Sequence, residues 1–276
     1  MIADLHCHTR MSDGSTGIDE IVFLAKKRGI KTLAVADHDT FAGSIRAQIL
    51  GKRYGVKVIS AVEISAFDYK RGKNVHILAY LCDHPDRMEG LFKRISEARK
   101  QKAVAMLKKV MRVYPIYPEM VTKRAHGSTN VFKQHIMQAL MDSGYSTSIY
   151  GDLFDKLFAS EKGLAYTEAE YPDVYEVIDY IHSAGGLAVL AHPAKYDSYE
   201  LLGELVDHDL DGVEVWYPNS REDDKKLLSV FAKQHNLIMV GGSNFHGMYS
   251  KDLRPLGLFT TPEEELQKML SRKSQK

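Results

Sequence analysis

Short apolar runs recur along the chain, and segments with apolar residues at helical spacing separate most of them. The first four runs lie at residues 2–6, 32–36, 56–62 and 75–81. After the first run, Ser15 or Thr16 can cap a helix with apolar residues at positions 18, 21, 22 and 25, which ends at Gly29. A second helix is predicted from Thr40 to Gly55. This part of the chain therefore predicts alternating strands and helices.

The link between the third and fourth runs departs from this alternation. It spans residues 63–74 and contains a turn at residues 71–73. A helical crossover between parallel strands usually needs more residues than this. We therefore expect either a hairpin or an irregular barrel step at this point.

A long section from residue 85 to residue 171 also breaks the alternation, because its apolar residues follow helical spacing throughout. It predicts a long helix over residues 88–111, a helix capped by Asn130 that runs to Asp142, and a short helix over residues 153–158. We expect residues 1–84 and 172–276 to form the main domain. Residues 85–171 are then an all-helical insertion that covers the end of the main fold where the functional site lies.

Strands and helices alternate again after residue 172. Pro172 opens a predicted helix, and apolar runs at residues 187–191, 212–216 and 237–240 complete a set of seven strands. Seven parallel strands joined mostly by helices indicate an α/β fold, a distorted (β/α)7 barrel similar to the eight-stranded TIM barrel. The functional site of such a barrel lies at the C-terminal ends of its strands.

The composition restricts the class of protein. The net charge of +1 predicts no field strong enough to hold duplex nucleic acid. The only cysteines are Cys7 and Cys82, which excludes a disulfide framework and favours a reducing compartment. No apolar run approaches the roughly 20 residues that cross a bilayer, and no signal peptide is visible. We therefore expect a cytoplasmic protein with no membrane partner.

Histidines and acidic residues follow the predicted strands. His6 and His8 end the first strand and point to the same side, because alternate residues of a strand share a face. Other residues that could bind a metal, on the next loop or at later strand ends, are Asp13, Asp37, His38, Asp39, Glu63, His192, Asn244 and His246. His76 lies near the start of the fourth strand, so it reaches the same rim only if that strand is unusually oriented.

Imidazole and carboxylate ligands are typical of a site for Zn, Mn or Fe. These residues exceed the needs of one ion. We therefore expect two or three divalent ions, with Glu63 bridging between them.

Six short motifs in this order resemble those of the polymerase-and-histidinol-phosphatase (PHP) family. They are His6-x-His8 with Ser12-Asp13-Gly14, Asp37-His38-Asp39, Glu63, His76, Ala191-His192-Pro193 and Gly242-Ser243-x-x-His246. The resemblance covers essentially the whole chain. The helical section resembles that of the branch that includes 3′,5′-nucleoside bisphosphate phosphatases and 5′–3′ exoribonucleases.

The resemblance implies three metal positions and a substrate pocket. The first position would use His6, His8, Glu63 and Asn244, the second Asp13, His38 and His246, and the third Glu63, His76 and His192. In the insertion, Lys133 and His135 would face the substrate phosphate and Tyr166 would lie beside the pocket. An exposed helix face is the alternative for Lys133 and His135.

Two positions depart from the family pattern. Asn244 stands where the family has Asp, and an amide oxygen is a weaker ligand than a carboxylate for a divalent ion. At the first metal position, three consequences are open: the ion binds weakly, a different ion is preferred, or the catalytic activity is impaired. Lys133 stands where the family has Arg, so it offers a point charge without the bidentate fork.

The resemblance implies metal-assisted hydrolysis of a phosphate ester, in which a hydroxide bridging the metals attacks phosphorus. Glu63 and His192 would hold the metals, and Asp37 would orient a histidine. His135 or a metal-bound water would protonate the leaving oxygen. The favoured substrate is a small nucleotide, such as a 3′,5′-bisphosphate, or the end of a short oligonucleotide. The alternatives are a phosphatase of the histidinol-phosphatase type, and a metal- or nucleotide-binding protein whose catalysis Asn244 impairs.

Overall fold

A single sheet of seven strands forms the centre of the molecule within the part of the chain that the structure describes. The structure is a computed structural model and describes residues 2–159 and 162–275. The strands are β1 (Ala3–Cys7), β2 (Thr32–Val35), β3 (Lys57–Asp68), β4 (Lys73–Tyr80), β5 (Leu187–Leu190), β6 (Gly212–Trp216) and β7 (Ile238–Gly241). They follow one another around the sheet in chain order.

Helices surround this sheet and also form the section between β4 and β5. They are α1 (Ile18–Lys27), α2 (Ala42–Tyr54), α3 (Glu89–Met111), α4 (Pro118–Arg124), α5 (Lys133–Asp142), α6 (Asp152–Phe158), α7 (Val174–Ser183), α8 (Pro193–Tyr196), α9 (Tyr199–Asp207), α10 (Glu222–Gln234) and α11 (Glu263–Gln275). Among the described residues, no helix is both long enough and apolar enough to span a membrane.

The sheet closes almost completely into a barrel. Cys7, the last residue of β1, pairs in an isolated parallel bridge with Phe245, which lies after β7. The His8 amide donates to the Phe245 carbonyl and the Asn244 amide donates to the His6 carbonyl, both at 2.8 Å. These contacts bring the two ends of the sheet together and confirm the predicted seven-stranded α/β barrel.

One strand runs against the others, so the prediction of seven parallel strands is wrong. β4 is antiparallel to both β3 and β5, while the remaining neighbouring pairs are parallel. Residues 69–72 therefore form the turn of a β-hairpin. A hairpin was one of the two structures that the sequence left open, the other being an irregular barrel step. The reversal places the start of β4 at the rim where the other strands end, and this explains the position of His76.

The strand predicted to end at Glu63 is longer than expected. β3 continues to Asp68, so Glu63 lies within the strand and pairs with Leu78 of β4. Tertiary pairing explains the difference, because the hairpin partner extends β3 beyond its apolar run.

Apolar side chains fill the barrel and the space between sheet and helices. The barrel interior contains small and branched residues such as Leu5, Ala34 and Val240. The described helical section has a core of its own, which includes Met106, Val110 and Leu140. The first turns of α3 pack instead on the barrel.

Candidate metal centre

Eight histidine and acidic side chains meet at the rim where the parallel strands end. They form three overlapping groups, and within each group one ligand atom per residue lies within 4.8 Å of the others. The members are His6, His8, Asp13, His38, Glu63, His76, His192 and His246. All are buried except His246, which is half-buried. Nε2 of His6 lies 3.1 Å from Nε2 of His8, so these two histidines point to the same side of β1 as predicted.

Glu63 lies at the centre of this cluster. Its Oε1 is 2.6 Å from His192 Nε2 and 2.8 Å from His76 Nδ1. Its Oε2 is 3.1 Å from His8 Nε2, 3.3 Å from His38 Nδ1 and 3.4 Å from His6 Nε2. Burial raises the pKa of Glu63, but the surrounding histidines outweigh burial and hold the pKa well below its usual range. The carboxylate is therefore ionised and can bridge two ions.

Asp13 joins a second part of the cluster. Its Oδ1 lies 3.2 Å from His246 Nε2 and 3.8 Å from both His8 Nδ1 and His38 Nε2. The rings of His8 and His246 stack with centroids 4.2 Å apart. His8 lies with Asp13, and His192 lies with His6 and Glu63, while His8 Nε2 is also 3.1 Å from both His6 Nε2 and Glu63 Oε2. The division of these residues among three metal positions stays a prediction.

The protonation states suit metal ligation at most positions. Burial lowers the pKa of His8 to about 4 and that of His76 to about 3. These imidazoles are therefore neutral at pH 7, which is the form that binds a metal. His6 differs, because burial lowers its pKa but Glu214 and Glu63 outweigh burial and raise the pKa to about 10. An ion bound at His6 must displace this proton.

Asn244 belongs to the same site, although it lies outside the three groups. It lines the cavity above the cluster, and its backbone has φ of 45°, a conformation that Asn tolerates better than most residues. Its buried Oδ1 has no hydrogen-bond partner within the described part of the chain, and the same holds for Nδ1 of His38 and of His192. Buried polar atoms normally have partners. Together with the neutral imidazoles and two carboxylates, these atoms fit a site for divalent cations of the nitrogen/oxygen-binding type.

Glu214 and Asp4 position the cluster, and the sequence analysis missed both. Glu214 accepts a hydrogen bond from His6 Nδ1 at 2.9 Å and another from the His192 amide at 2.8 Å. Asp4 accepts from the amides of Ser243 at 2.9 Å and Gly257 at 2.7 Å. Each is an acid within an otherwise apolar strand, and that pattern was the signal available in the sequence.

Asp37 forms hydrogen bonds with the loop that follows His8. Its carboxylate accepts hydrogen bonds from the amide and hydroxyl of Thr9 at 2.7 and 2.6 Å, and from the Ser12 hydroxyl at 2.7 Å. It therefore holds the loop between His8 and Asp13. Ser12 Oγ of this loop lies 3.5 Å from His8 Nδ1, and the predicted role of Asp37 in orienting a histidine stays a prediction. Gly43 makes room for it, because a Cβ atom at position 43 would lie 2.1 Å from Asp37 Oδ2.

The three residues expected to bind substrate lie outside the cavity lining. Lys133 Nζ donates to the Phe158 carbonyl at 3.4 Å, and the Tyr166 hydroxyl donates to Glu168 at 2.9 Å. His135 is buried, and its Nδ1 accepts from the Phe132 amide at 3.1 Å.

Helix phase explains the placement of Lys133 and His135, because α5 begins at Lys133 and turns Gln134 towards the cavity. Gln134 Nε2 lies 3.3 Å from Asp13 Oδ2. Burial lowers the pKa of His135 to about 4, so at pH 7 it does not carry the extra proton of a general acid.

A cavity of about 440 Å³ opens above the cluster. Buried ligands, including Asp13, Glu63 and His192, line its inner part. Three cationic side chains also line it, namely exposed Lys195 and Lys251 and half-buried Arg254. The cavity therefore combines the candidate metal ligands with positively charged side chains, which suits a substrate with more than one anionic group.

Comparison with known proteins identifies relatives along most of the chain. It is 35% identical over 253 residues to the phosphoribosyl 1,2-cyclic phosphate 1,2-diphosphodiesterase of Eggerthella lenta, covering 91% of this chain and 96% of that protein. It is 32% identical over 250 residues to a 5′-3′ exoribonuclease of Haemophilus influenzae, covering 88% of this chain and 89% of that protein.

A solved structure from Bifidobacterium adolescentis, described as a metal-dependent phosphoesterase, has the same fold. It matches with a TM-score of 0.89 and 29% identity, over 98% of this chain and 95% of that one. The model of the PHP domain matches residues 4–189. The chain therefore belongs to the PHP domain family.

Proposed function

We propose that this metal-dependent phosphoesterase hydrolyses a phosphate ester on ribose, in a nucleotide such as a 3′,5′-bisphosphate or at the end of a short oligonucleotide. The observation that carries the proposal is the cavity, in which buried histidines and carboxylates lie below a cationic rim. The names of the two relatives support a ribose-linked phosphate as the target, since each acts on such a group.

Two or three divalent ions, of Mn, Zn or Fe, would be held by the eight clustered residues and Asn244. When bound, such ions supply Lewis acidity and a water nucleophile at neutral pH. Glu63 would bridge between positions, because both of its oxygens contact histidines from different strands. Lys195 would bind phosphate oxygens, because it lines the cavity next to the ligand His192.

The helical section of residues 85–171 would cover the substrate. Gln134 reaches Asp13, and the Ser128 hydroxyl donates to the Ser12 carbonyl at 2.7 Å. These contacts connect the helices directly with the loop that carries Asp13. A cover of this kind excludes water from the reacting phosphate and strengthens the electrostatic interactions in the site.

A second candidate substrate is a five-membered cyclic phosphodiester on ribose. The 35% identity to the phosphoribosyl cyclic phosphate enzyme, over nearly its whole length, favours this candidate. Both candidates place a phosphate on the metals and leave a second anionic group for the rim. The same site can therefore hold either of them.

A substrate panel tests the proposal. Nucleoside 3′,5′-bisphosphate, 5′-phosphorylated RNA, phosphoribosyl 1,2-cyclic phosphate, histidinol phosphate and an aryl phosphate would each be incubated with the chain and Mn²⁺ or Zn²⁺. We expect kcat/KM to be highest for one of the ribose-linked phosphates. Turnover of histidinol phosphate alone would show that the ribose assignment is wrong.

A further inference from the structure

His38 differs from other histidines of the cluster in how its ring is held. His6 donates from Nδ1 to Glu214, and His246 donates from Nδ1 to the Asn244 carbonyl at 2.8 Å. Bonds of this kind normally fix the orientation of a metal-binding imidazole. Nδ1 of His38 has no hydrogen-bond partner among the described residues. The nearest carboxylate oxygen, Glu63 Oε2 at 3.3 Å, belongs to the metal cluster itself, so packing contributes to the orientation of this ring.

An aromatic ring from the helical section provides that packing. Phe132, next to the start of α5, lies over His38 with centroids 5.9 Å apart and an angle of 26° between the rings. Phe132 is buried. Movement of this ring would change the support of His38.

Arg99 of α3 contacts the same aromatic ring. The centre of its guanidinium group lies 4.9 Å from the Phe132 ring centroid and 5.4 Å from that of Tyr171. A planar guanidinium group stacks on aromatic faces more effectively than an ammonium group does. Arg99 thus packs between two aromatic side chains at the junction of the helical section and the barrel.

Hydrogen bonds fix Arg99 to the residue that follows His38. Its Nε donates to Asp39 Oδ2 at 2.7 Å, and one terminal nitrogen donates to the Ser65 hydroxyl at 2.6 Å. Asp39 in turn accepts from the Ser65 amide at 2.7 Å. The Arg99 side chain is only 12% exposed and the Asp39 side chain 1%, so solvent screens this ion pair weakly.

We propose that Arg99 is a positioning residue for His38. It acts through two routes, the ion pair with Asp39 behind the ligand and the stack on Phe132 above it. Arg99 thereby connects the helical section to the metal centre. The inference rests on the proposed function only in taking His38 as a metal ligand, and it is independent of the substrate.

Arg99→Lys is the decisive variant, because it keeps the charge and removes the planar group. We expect Mn²⁺ binding, measured by titration calorimetry, to weaken about tenfold at one step, as when the support of a metal ligand is removed. Activity on an aryl phosphate should lose kcat with KM little changed. Arg94→Lys is the matched control, because Arg94 lies on the same helix and pairs with Glu176 at the surface.

Unchanged Mn²⁺ affinity in Arg99→Lys would overturn the inference, and so would equal losses in the Arg94 control. If Arg99→Lys does not fold, Phe132→Leu tests the stack between Arg99, Phe132 and His38. Unchanged Mn²⁺ affinity in Phe132→Leu would also overturn the inference. Methylguanidinium can replace the missing side-chain group in Arg99→Ala. If it restores Mn²⁺ affinity there and does not change Mn²⁺ affinity in Arg94→Ala, a positioning role is supported. Absence of Mn²⁺ and Zn²⁺ binding in the wild type would overturn the proposed function as well, whereas failure of the substrate panel alone would leave this test intact.

Discussion

At the scale of single residues, the centre depends on how burial and neighbouring charges set protonation. Glu63 stays ionised among histidines, while burial keeps His8 and His76 neutral. His6 differs because Glu214 lies 2.9 Å from its Nδ1. The cluster thus combines ionised carboxylates with neutral imidazoles, the combination that a divalent cation requires.

Asn244→Asp should strengthen metal binding. The amide oxygen of Asn244 is buried and has no partner within the described residues, and a carboxylate at this place would add a negative charge beside the cations. We expect the Kd of one Mn²⁺ ion to fall by about tenfold, or about 1.4 kcal/mol. Titration calorimetry of both forms measures this. Identical isotherms would mean that residue 244 does not contact an ion.

At the scale of elements, the alternation of apolar runs and helical spacing predicted the strands and the long helix α3. The strand-end histidines converge because parallel strands share a rim, which is why a linear pattern could locate much of the cluster. The orientation of β4 and the extension of β3 past Glu63 depend on pairing between strands, which no local pattern encodes.

The start of α5 is a second difference from the predicted elements. With Asn130 as the cap, the helix would begin at residue 131, two residues before the observed start at Lys133. The family resemblance, not a helical pattern, placed Lys133 and His135 near the substrate. On α5 it is Gln134, between them, that lines the cavity. Helix ends are the least regular part of such patterns, and substrate contacts at an end are correspondingly hard to predict.

His135 should make the stability of the chain sensitive to acid. Burial lowers its pKa to about 4, whereas an unfolded histidine titrates near about 6.5. The folded state therefore binds fewer protons between these pH values, and stability is lost as the pH falls from about 6.5 towards 4. The expected slope is up to about 1.4 kcal/mol per pH unit.

Urea unfolding of the metal-free chain at several pH values checks this. His135→Gln should flatten the slope by one proton, since Gln at this helix position can still accept from the Phe132 amide. Exposed His126→Gln is the control and should leave the slope unchanged. An equal effect of both substitutions would contradict the assignment to His135.

At the scale of the whole molecule, the cavity separates charge between floor and rim. Among the described residues that line it, the acids Asp13 and Glu63 belong to the metal cluster. The cation Lys195 lies on α8, and the cations Lys251 and Arg254 lie between β7 and α11. Both Lys195 and Arg254 lower the pKa of the Tyr150 hydroxyl against the raising effect of burial, so both act on the same part of the cavity.

Arg254→Gln should weaken binding of a substrate with two anionic groups. Loss of one rim cation removes an attraction to the second group and leaves the phosphate at the metals unaffected. We expect KM for a nucleoside 3′,5′-bisphosphate to rise about tenfold, with kcat and the KM for an aryl phosphate little changed. Steady-state kinetics with both substrates measures the difference. A parallel rise in KM for the aryl phosphate would place Arg254 at the reacting phosphate instead.

Metal removal should destabilise the whole chain, because the candidate ligands come from segments along its whole length, from β1 to the loop after β7, and include the reversed strand β4. Without ions, the buried orphan atoms of His38, His192 and Asn244 lack partners, and His6 carries a proton beside neutral histidines. Ions that bind only the folded state stabilise it by about 2.7 kcal/mol at 100 times Kd, which raises Tm by about 5 °C for a chain of this size. Calorimetric scans with EDTA and then with added Mn²⁺ measure this shift. His76→Gln should reduce the shift, whereas exposed His126→Gln should preserve it, and equal shifts in all three proteins would remove His76 from the ligand set.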